Sequence, residues 1–211
     1  MSPAPALSEL AGVKAISFDL DGTLYELPAM RRALRGLALG RALRPRRTYR
    51  ELRYLLQARA KFKRAREGGG DLAPFPELEA EFAQRAELEA RWWIPAIAAV
   101  GPRQGLVEVL DALALRDLRL VVCSDHAGED KLAALGLQGR FEAALSGEAL
   151  GAIKPDPRVL QAALDRLQLE PSELLHVGDR EDTDGEAARA LGTRLWIVPA
   201  KGPLRLSASR A

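Results

Sequence analysis

A chain of 211 residues with 47% hydrophobic content can bury one sizeable domain and a smaller one. No run of 18 apolar residues and no secretory leader pattern interrupts it, so a cytoplasmic protein with no membrane span is expected. The net charge of +2 excludes a strongly polyionic protein as a whole, and the single cysteine, Cys123, excludes an internal disulfide.

Residues 1–12 are rich in small residues and proline and read as a loose end with a short helical turn at most. Residues 13–20 form a mostly apolar segment, interrupted by Lys14, that suits a strand inside a parallel sheet. Asp19 and Asp21 fall at its C-terminal end before Gly22. Two residues apart on a strand, their carboxylates point the same way, so one can attack while the other moves a proton.

From about Leu27 the spacing becomes helical. Met30, Leu34 and Leu37 share one face, Pro45 interrupts, and Thr48-Tyr49-Arg50-Glu51 reads as a capping box opening a second helix with Leu52, Leu55, Leu56 and Phe62. Gly68-Gly69-Gly70 stops it, and a third helix starts near Pro76 and runs towards Trp92 and Trp93. Pro95, Gly101, Pro102 and Gly105 punctuate the return. The insert carries a polarised charge: fourteen Arg and Lys against Glu51 alone over residues 30–66, then seven acids against two arginines over 67–91. The simplest expectation is a solvated basic surface partly neutralised by the acidic third helix lying antiparallel to it. An electrostatic funnel for an anionic substrate and a nucleic-acid surface are the sharper readings.

After the insert, a helix at 106–115, one ending near 136, and helices at 157–167 and about 185–191 alternate with strands at 118–123, 141–145, 174–177 and 194–198. That alternation predicts an α/β fold: a Rossmann-like, doubly wound parallel sheet with an inserted all-helical cap domain. Residues 1–24 and 101–211 would form the discontinuous core and residues 25–100 the cap. The last dozen residues read as a mobile tail.

Four polar stations follow predicted strands: Asp19 to Thr23, Ser124-Asp125, Lys154, and Asp179 with Asp184. The C-terminal ends of parallel strands share one edge, so these stations converge there. Clustered carboxylates repel unless a cation neutralises them, and hard oxygen donors favour Mg²⁺. A lysine and a serine hydroxyl beside them suit a phosphoryl group. The plainer readings are a turn for Asp19 and Asp21, helix capping for Ser124, Asp125 and Asp184, and a solvated loop for Lys154. His176 reads as a satisfied core residue, and His126 lies closer to the predicted site.

Asp19-Leu20-Asp21-Gly22-Thr23-Leu24, Ser124, Lys154-Pro155-Asp156-Pro157 and Gly178-Asp179 with Asp184 together resemble the four motifs of the haloacid dehalogenase superfamily, in order and spacing. The resemblance covers residues 13–24 and 101–198, and the helical insert falls where that family places its first type of cap. It implies a Mg²⁺-dependent phosphatase for a small phosphate monoester. Asp19 would be the nucleophile that becomes an aspartyl-phosphate and Asp21 the general acid and base. The metal would be held by Asp19, the backbone carbonyl of Asp21, Asp179 and Asp184, and the phosphoryl oxygens by Thr23, Ser124 and Lys154. Asp21 also argues against the dehalogenase branch, which has no leaving oxygen to protonate. A sugar phosphomutase using the same aspartates and a non-catalytic binding protein with a basic cap are the alternatives. Asp125 departs from the Asn common in the family. A carboxylate facing phosphate costs affinity unless it turns away, gains a proton or meets a cation such as His126. On that reading Asp125→Asn lowers the Michaelis constant.

Overall fold

The computed structural model describes residues 10–40 and 45–206. In it the alternation of short apolar segments and helices becomes a five-stranded, wholly parallel sheet in the order β3-β2-β1-β4-β5. The strands are β1 (Ala15–Phe18), β2 (Arg119–Ser124), β3 (Ala143–Ser146), β4 (Leu174–Gly178) and β5 (Arg194–Ile197). The helices are α1 (Leu27–Gly40), α2 (Pro45–Glu67), α3 (Pro76–Val100), α4 (Leu106–Ala114), α5 (Glu129–Ala134), α6 (Arg158–Leu167) and α7 (Glu186–Leu191).

The two-residue period of the central strands separates two apolar layers. Ile16, Phe18, Leu120, Val122, Leu175 and Val177 face the layer containing Leu106, Leu110 and Leu132. Ala15, Val121, Cys123 and Leu174 face the layer containing Val159, Leu160, Ala163 and Ala187. Both faces are therefore covered by helices, as near-continuous apolar strands require. Cys123 belongs to this buried layer, where burial pushes its thiol up to about 12, the environment of an inert core residue.

Ser17 and His176 break the apolar pattern but sit opposite one another in the β1–β4 register, and Ser17 Oγ lies 2.9 Å from His176 Nδ1. Each satisfies the other inside the sheet.

Three expected boundaries move. Pro45 stands at the first position of α2, where its missing N–H costs nothing, and Thr48 lies inside the helix instead of capping it. Pro95 does not end α3. Trp92, Ala96 and Ile97 are buried on either side of it, and that packing carries the helix through the lost hydrogen bond to Val100. The residues after 199 are not a free tail as far as 206. Leu204 is buried and donates its N–H to Gln104 O at 2.8 Å, while residues 207–211 lie outside the described residues, as do 1–9 of the expected loose end.

α2 and α3 run antiparallel, since Arg91 meets Glu51 at one end and Phe82 stacks on Phe62 nearer the other. Among the described residues, one cross-helix ion pair runs from a cation of α3 to an acid of α2. Glu51, in the first half of the basic helix, receives Arg47, Arg91 and the Trp92 indole N–H, while Arg31, Arg32, Arg35, Arg46, Arg50, Arg53 and Arg64 remain exposed. Arg41, Arg44 and the side chains of Leu52, Leu56 and Arg59 lie outside the described residues. The α2–α3 hairpin also returns to the sheet domain. Leu72 N–H donates to Gly151 O at 3.0 Å and Ile153 N–H to Gly70 O at 2.9 Å, and Phe62, Leu72 and Leu78 pack on Ile153. Gly70 makes this possible: a Cβ there would lie 2.0 Å from Ile153 O.

Candidate active site

The polar stations gather at the C-terminal edge of the sheet. β1 ends at Phe18, so Asp19 is the first residue beyond the strand, tied to it by donating its N–H to Val177 O at 2.8 Å. Asp21 is not on the strand at all but in the turn that follows, and the two carboxylates meet different partners.

Asp19 Oδ1 accepts from Lys154 Nζ at 2.6 Å, and Oδ2 accepts from Thr23 Oγ1 at 3.2 Å. The same ammonium donates to Asp184 Oδ1 at 2.6 Å and to Cys123 O at 3.1 Å, so all three of its protons are used. Lys154 is 2% exposed although seven residues separate it from β3. Asp184 lies in the wide turn Glu181–Gly185, where its Oδ2 accepts from Arg180 N–H at 3.1 Å and its Oδ1 lies 3.1 Å from His176 Nε2. It does not cap α7, whose N-terminus has no side-chain cap. Ligand oxygens of Asp19, Asp179 and Asp184 all lie within 4.8 Å of one another.

Two glycines admit this crowding. A Cβ on Gly22 would lie 2.2 Å from Asp179 Oδ2, and one on Gly178 would lie 2.2 Å from Asp184 Cγ. Gly22 also has φ of +111°, a conformation that only glycine adopts without strain.

The electrostatics are those of several acids sharing too few cations. Burial, with Asp184 and Asp179 beside it, pushes the Asp19 carboxyl well up against the pull of Lys154. Burial and Asp184 push Asp179 up to about 6. Asp184 goes the other way: burial opposes its charge, but Lys154 and His176 outweigh it and hold the carboxyl far below its ordinary value. An additional cation is what Asp19 and Asp179 lack. Three carboxylates with no sulfur or nitrogen in the set fit a hard divalent ion.

Asp21 occupies a different environment. Its Oδ2 accepts from Lys131 Nζ at 2.7 Å and its Oδ1 from the Tyr25 hydroxyl. Burial would raise its pKa, yet Lys131 and Tyr25 hold it below the usual carboxylate value.

Ser124 ends β2, and its Oγ accepts from His126 N–H at 3.3 Å. Asp125 meets a cation, though not His126: its Oδ2 takes Arg66 Nη2 of α2 at 2.9 Å, and its Oδ1 takes Lys154 N–H at 2.8 Å. It braces the backbone of the buried lysine and ties α2 to the sheet domain. An amide at this position would keep one acceptor and turn a donor towards Arg66. His126 lies between Arg85 Nη1 at 2.7 Å and Glu148 Oε1 at 2.6 Å, and burial together with Arg85, Lys131, Arg66 and Lys154 pushes its pKa well down.

Lys131, Arg66, Arg85 and Glu148 escaped the motif reading, yet three of them left a pattern. Arg85 interrupts the apolar stripe Leu78-Phe82-Leu88-Trp92 of α3, Arg66 falls four residues after Phe62, and Lys131 falls four residues before Leu135. A cation on a buried helical face asks for an acid on the facing element. Glu148 sits in a short turn with no periodicity to read.

A family model described as haloacid dehalogenase-like hydrolase matches residues 13–192. Phosphoglycolate phosphatase of Rhodospirillum rubrum is 34% identical over 195 residues, covering 88% of this chain and 79% of that protein. The haloacid dehalogenase-like hydrolase domain-containing protein 3 of mouse is 38% identical over 103 residues, covering 48% of this chain and 41% of that protein, so the chain spans about two fifths of the mouse relative. Among solved structures, CbbY of Rhodobacter sphaeroides in complex with phosphate shares the fold with a TM-score of 0.61 at 24% identity, covering 94% of this chain and 92% of that one.

Proposed function

The chain belongs to the haloacid dehalogenase-like hydrolase family, and we propose that it is a divalent-metal-dependent phosphatase acting on a small phosphate monoester. The observation that carries this reading is Lys154 Nζ, held 2.6 Å from both Asp19 and Asp184 at the sheet edge where Asp179 completes an acidic trio.

In this reading Asp19 attacks phosphorus and forms an aspartyl-phosphate as the phosphorus–oxygen bond to the leaving group breaks. Asp21 gives the departing oxygen the proton it gained from the water of the preceding turnover and regains one from the water that hydrolyses the acyl phosphate, and its lowered pKa favours release of that proton. Lys154, Thr23 and Ser124 hold and neutralise the phosphoryl oxygens. Asp19, Asp179, Asp184 and the Asp21 backbone carbonyl would hold Mg²⁺, whose positive charge offsets that of the phosphoryl oxygens. Residues 25–100 act as a cap domain over the core formed by residues 1–24 and 101–211, with Arg66 and Arg85 reaching across to Asp125 and Glu148. A closed cap keeps water from the first transfer and selects the leaving group. The phosphoglycolate phosphatase relative points to a small carboxylated phosphate as the first substrate to try. A cytoplasmic enzyme is consistent with the described residues, in which no helix is long and apolar enough to cross a membrane.

The test is phosphate release from p-nitrophenyl phosphate and from a panel of sugar phosphates, nucleotides, phosphoglycolate and flavin mononucleotide. Mg²⁺ should be required, chelation should abolish turnover, and Asp19→Asn should lower kcat by at least about 10⁴-fold with the fold intact. Isomerised sugar phosphate without free phosphate would instead establish a mutase. RNA binding with a steep salt dependence and no turnover would establish a binding protein.

A further inference from the structure

Lys131 has no part in the phosphoryl chemistry described above, yet it is one of the most deeply buried charges in the protein, 1% exposed on the six-residue helix α5. A buried ammonium costs several kcal/mol unless carboxylates answer it. Two do: Asp21 Oδ2 at 2.7 Å and, from the α3 helix of the cap, Glu89 Oε2 at 4.0 Å.

Asp21 needs such a partner. It lies beyond the end of β1, in a turn, with its side chain 26% exposed, so its two side-chain torsions are set by the groups that meet the carboxylate and not by the strand. A general acid must come within about 2.6–3.2 Å of the oxygen it protonates, and a misplacement of about 1 Å costs roughly 10²-fold in rate. The Tyr25 hydroxyl grips Oδ1 but leaves the carboxylate free to turn about that contact. Lys131 grips the other oxygen, and the two donors together define the carboxylate plane.

We propose that Lys131 is a positioning residue that aims the Asp21 carboxylate at the leaving-group oxygen and, through Glu89, makes that aim depend on where the cap sits. The inference rests on the reading of Asp21 as proton donor and acceptor. Glu89 travels with α3, so displacement of the cap leaves Asp21 as the sole acid on the ammonium and lets the pair shift together. Arg85, one turn before Glu89, binds Glu148 of the core at 2.6 Å and keeps that part of α3 in place.

The experiment compares the full chain with Lys131→Met, Lys131→Arg and Glu89→Gln on two substrates with Mg²⁺. Phosphoglycolate has a poor alkoxide leaving group that needs a proton; p-nitrophenyl phosphate has a good one that does not. Lys131→Met should lower kcat for phosphoglycolate by at least about tenfold, with KM within about twofold, and should cost less with the aryl ester. Lys131→Arg should recover part of the loss, and Glu89→Gln should cause a smaller loss that does not add to that of Lys131→Met. An unchanged kcat in folded Lys131→Met, an equal loss on both substrates, or a raised KM with kcat intact would each overturn the proposal. Should Lys131→Met fail to fold, an unchanged kcat in both Lys131→Arg and Glu89→Gln overturns it equally. If the wild-type chain shows no Mg²⁺-dependent turnover, the phosphatase reading falls and takes this inference with it. An active wild type with indifferent variants overturns the inference alone.

Discussion

The sheet-edge trio and the seam between the helical insert and the sheet domain are built from the same groups, buried acids met by cations, but they are closed in different ways. At the edge, Lys154, Asp19, Asp179 and Asp184 all come from the sheet domain and are set by a strand end, a tight glycine contact and a wide turn. At the seam, every pair has one partner on the insert. Arg66 meets Asp125, Arg85 meets Glu148, and Glu89 faces Lys131. The difference teaches where each property resides. The edge has an excess of acid that a proton or a further cation relieves, and in the proposed phosphatase it carries the chemistry. At the seam each acid has its own cation, and in the proposed phosphatase this is where the insert would part from the sheet domain to admit substrate.

The largest effect should come from disturbing the edge while leaving the seam alone. Gly178→Ala places a Cβ 2.2 Å from Asp184 Cγ, which forces the carboxylate out of the trio. Steady-state kinetics should show kcat reduced by about 10²-fold or more, with Mg²⁺ affinity weakened in a titration. Retention of wild-type kcat would show that the crowding of the trio is irrelevant.

A second test uses pH. Asp179 has its carboxyl raised from 3.8 to about 6 in the folded state. Its contribution to stability is therefore full below about pH 4 and lost as pH rises through 6. Without divalent metal, the stability of the wild type relative to Asp179→Asn should fall between pH 4 and 6 by about 2 kcal/mol, allowing for partial exposure. Taking the difference between the two proteins cancels His126, whose lowered pKa slopes the opposite way, and Asp184, lowered from 3.8, acts only at more acid pH. Above pH 6, excess Mg²⁺ should stabilise the wild type and not the variant, because binding requires the deprotonated carboxylate. A flat difference across this range would mean that the acids do not repel as the geometry implies.

The seam gives the smallest effect. Asp125→Asn should cost about 1 kcal/mol in chemical denaturation by losing a charge-assisted bond to Arg66. It should raise KM several-fold while kcat changes less, the opposite of the expectation drawn from the family's usual Asn. A lowered KM would restore that expectation and make Asp125 a substrate-facing group.

Much of the fold was legible because it is written in local periodicity. The two-residue alternation that sends Ile16 and Phe18 to one layer and Ala15 to the other, and the helical spacing of Val159, Leu160, Ala163 and Leu164, need no tertiary information. The errors fell where packing overrides a local signal. Pro95 looks like a terminator until Trp92, Ala96 and Ile97 bury the helix around it, and Leu204 looks like part of a tail until Gln104 receives its N–H.

By itself the sequence determined which chemistry-bearing residues follow which strands, and with them the acids and the lysine that meet at the edge. That much follows because the ends of parallel strands must lie side by side. Only the tertiary structure decided how the charges are shared: Lys154 between Asp19 and Asp184, Lys131 on Asp21, Arg66 on Asp125. Arg66 and Asp125 stand 59 residues apart, and Lys131 and Asp21 stand 110 apart. No spacing rule links such positions. Which cation answers which acid depends on distance and desolvation, and those exist only once the chain is folded.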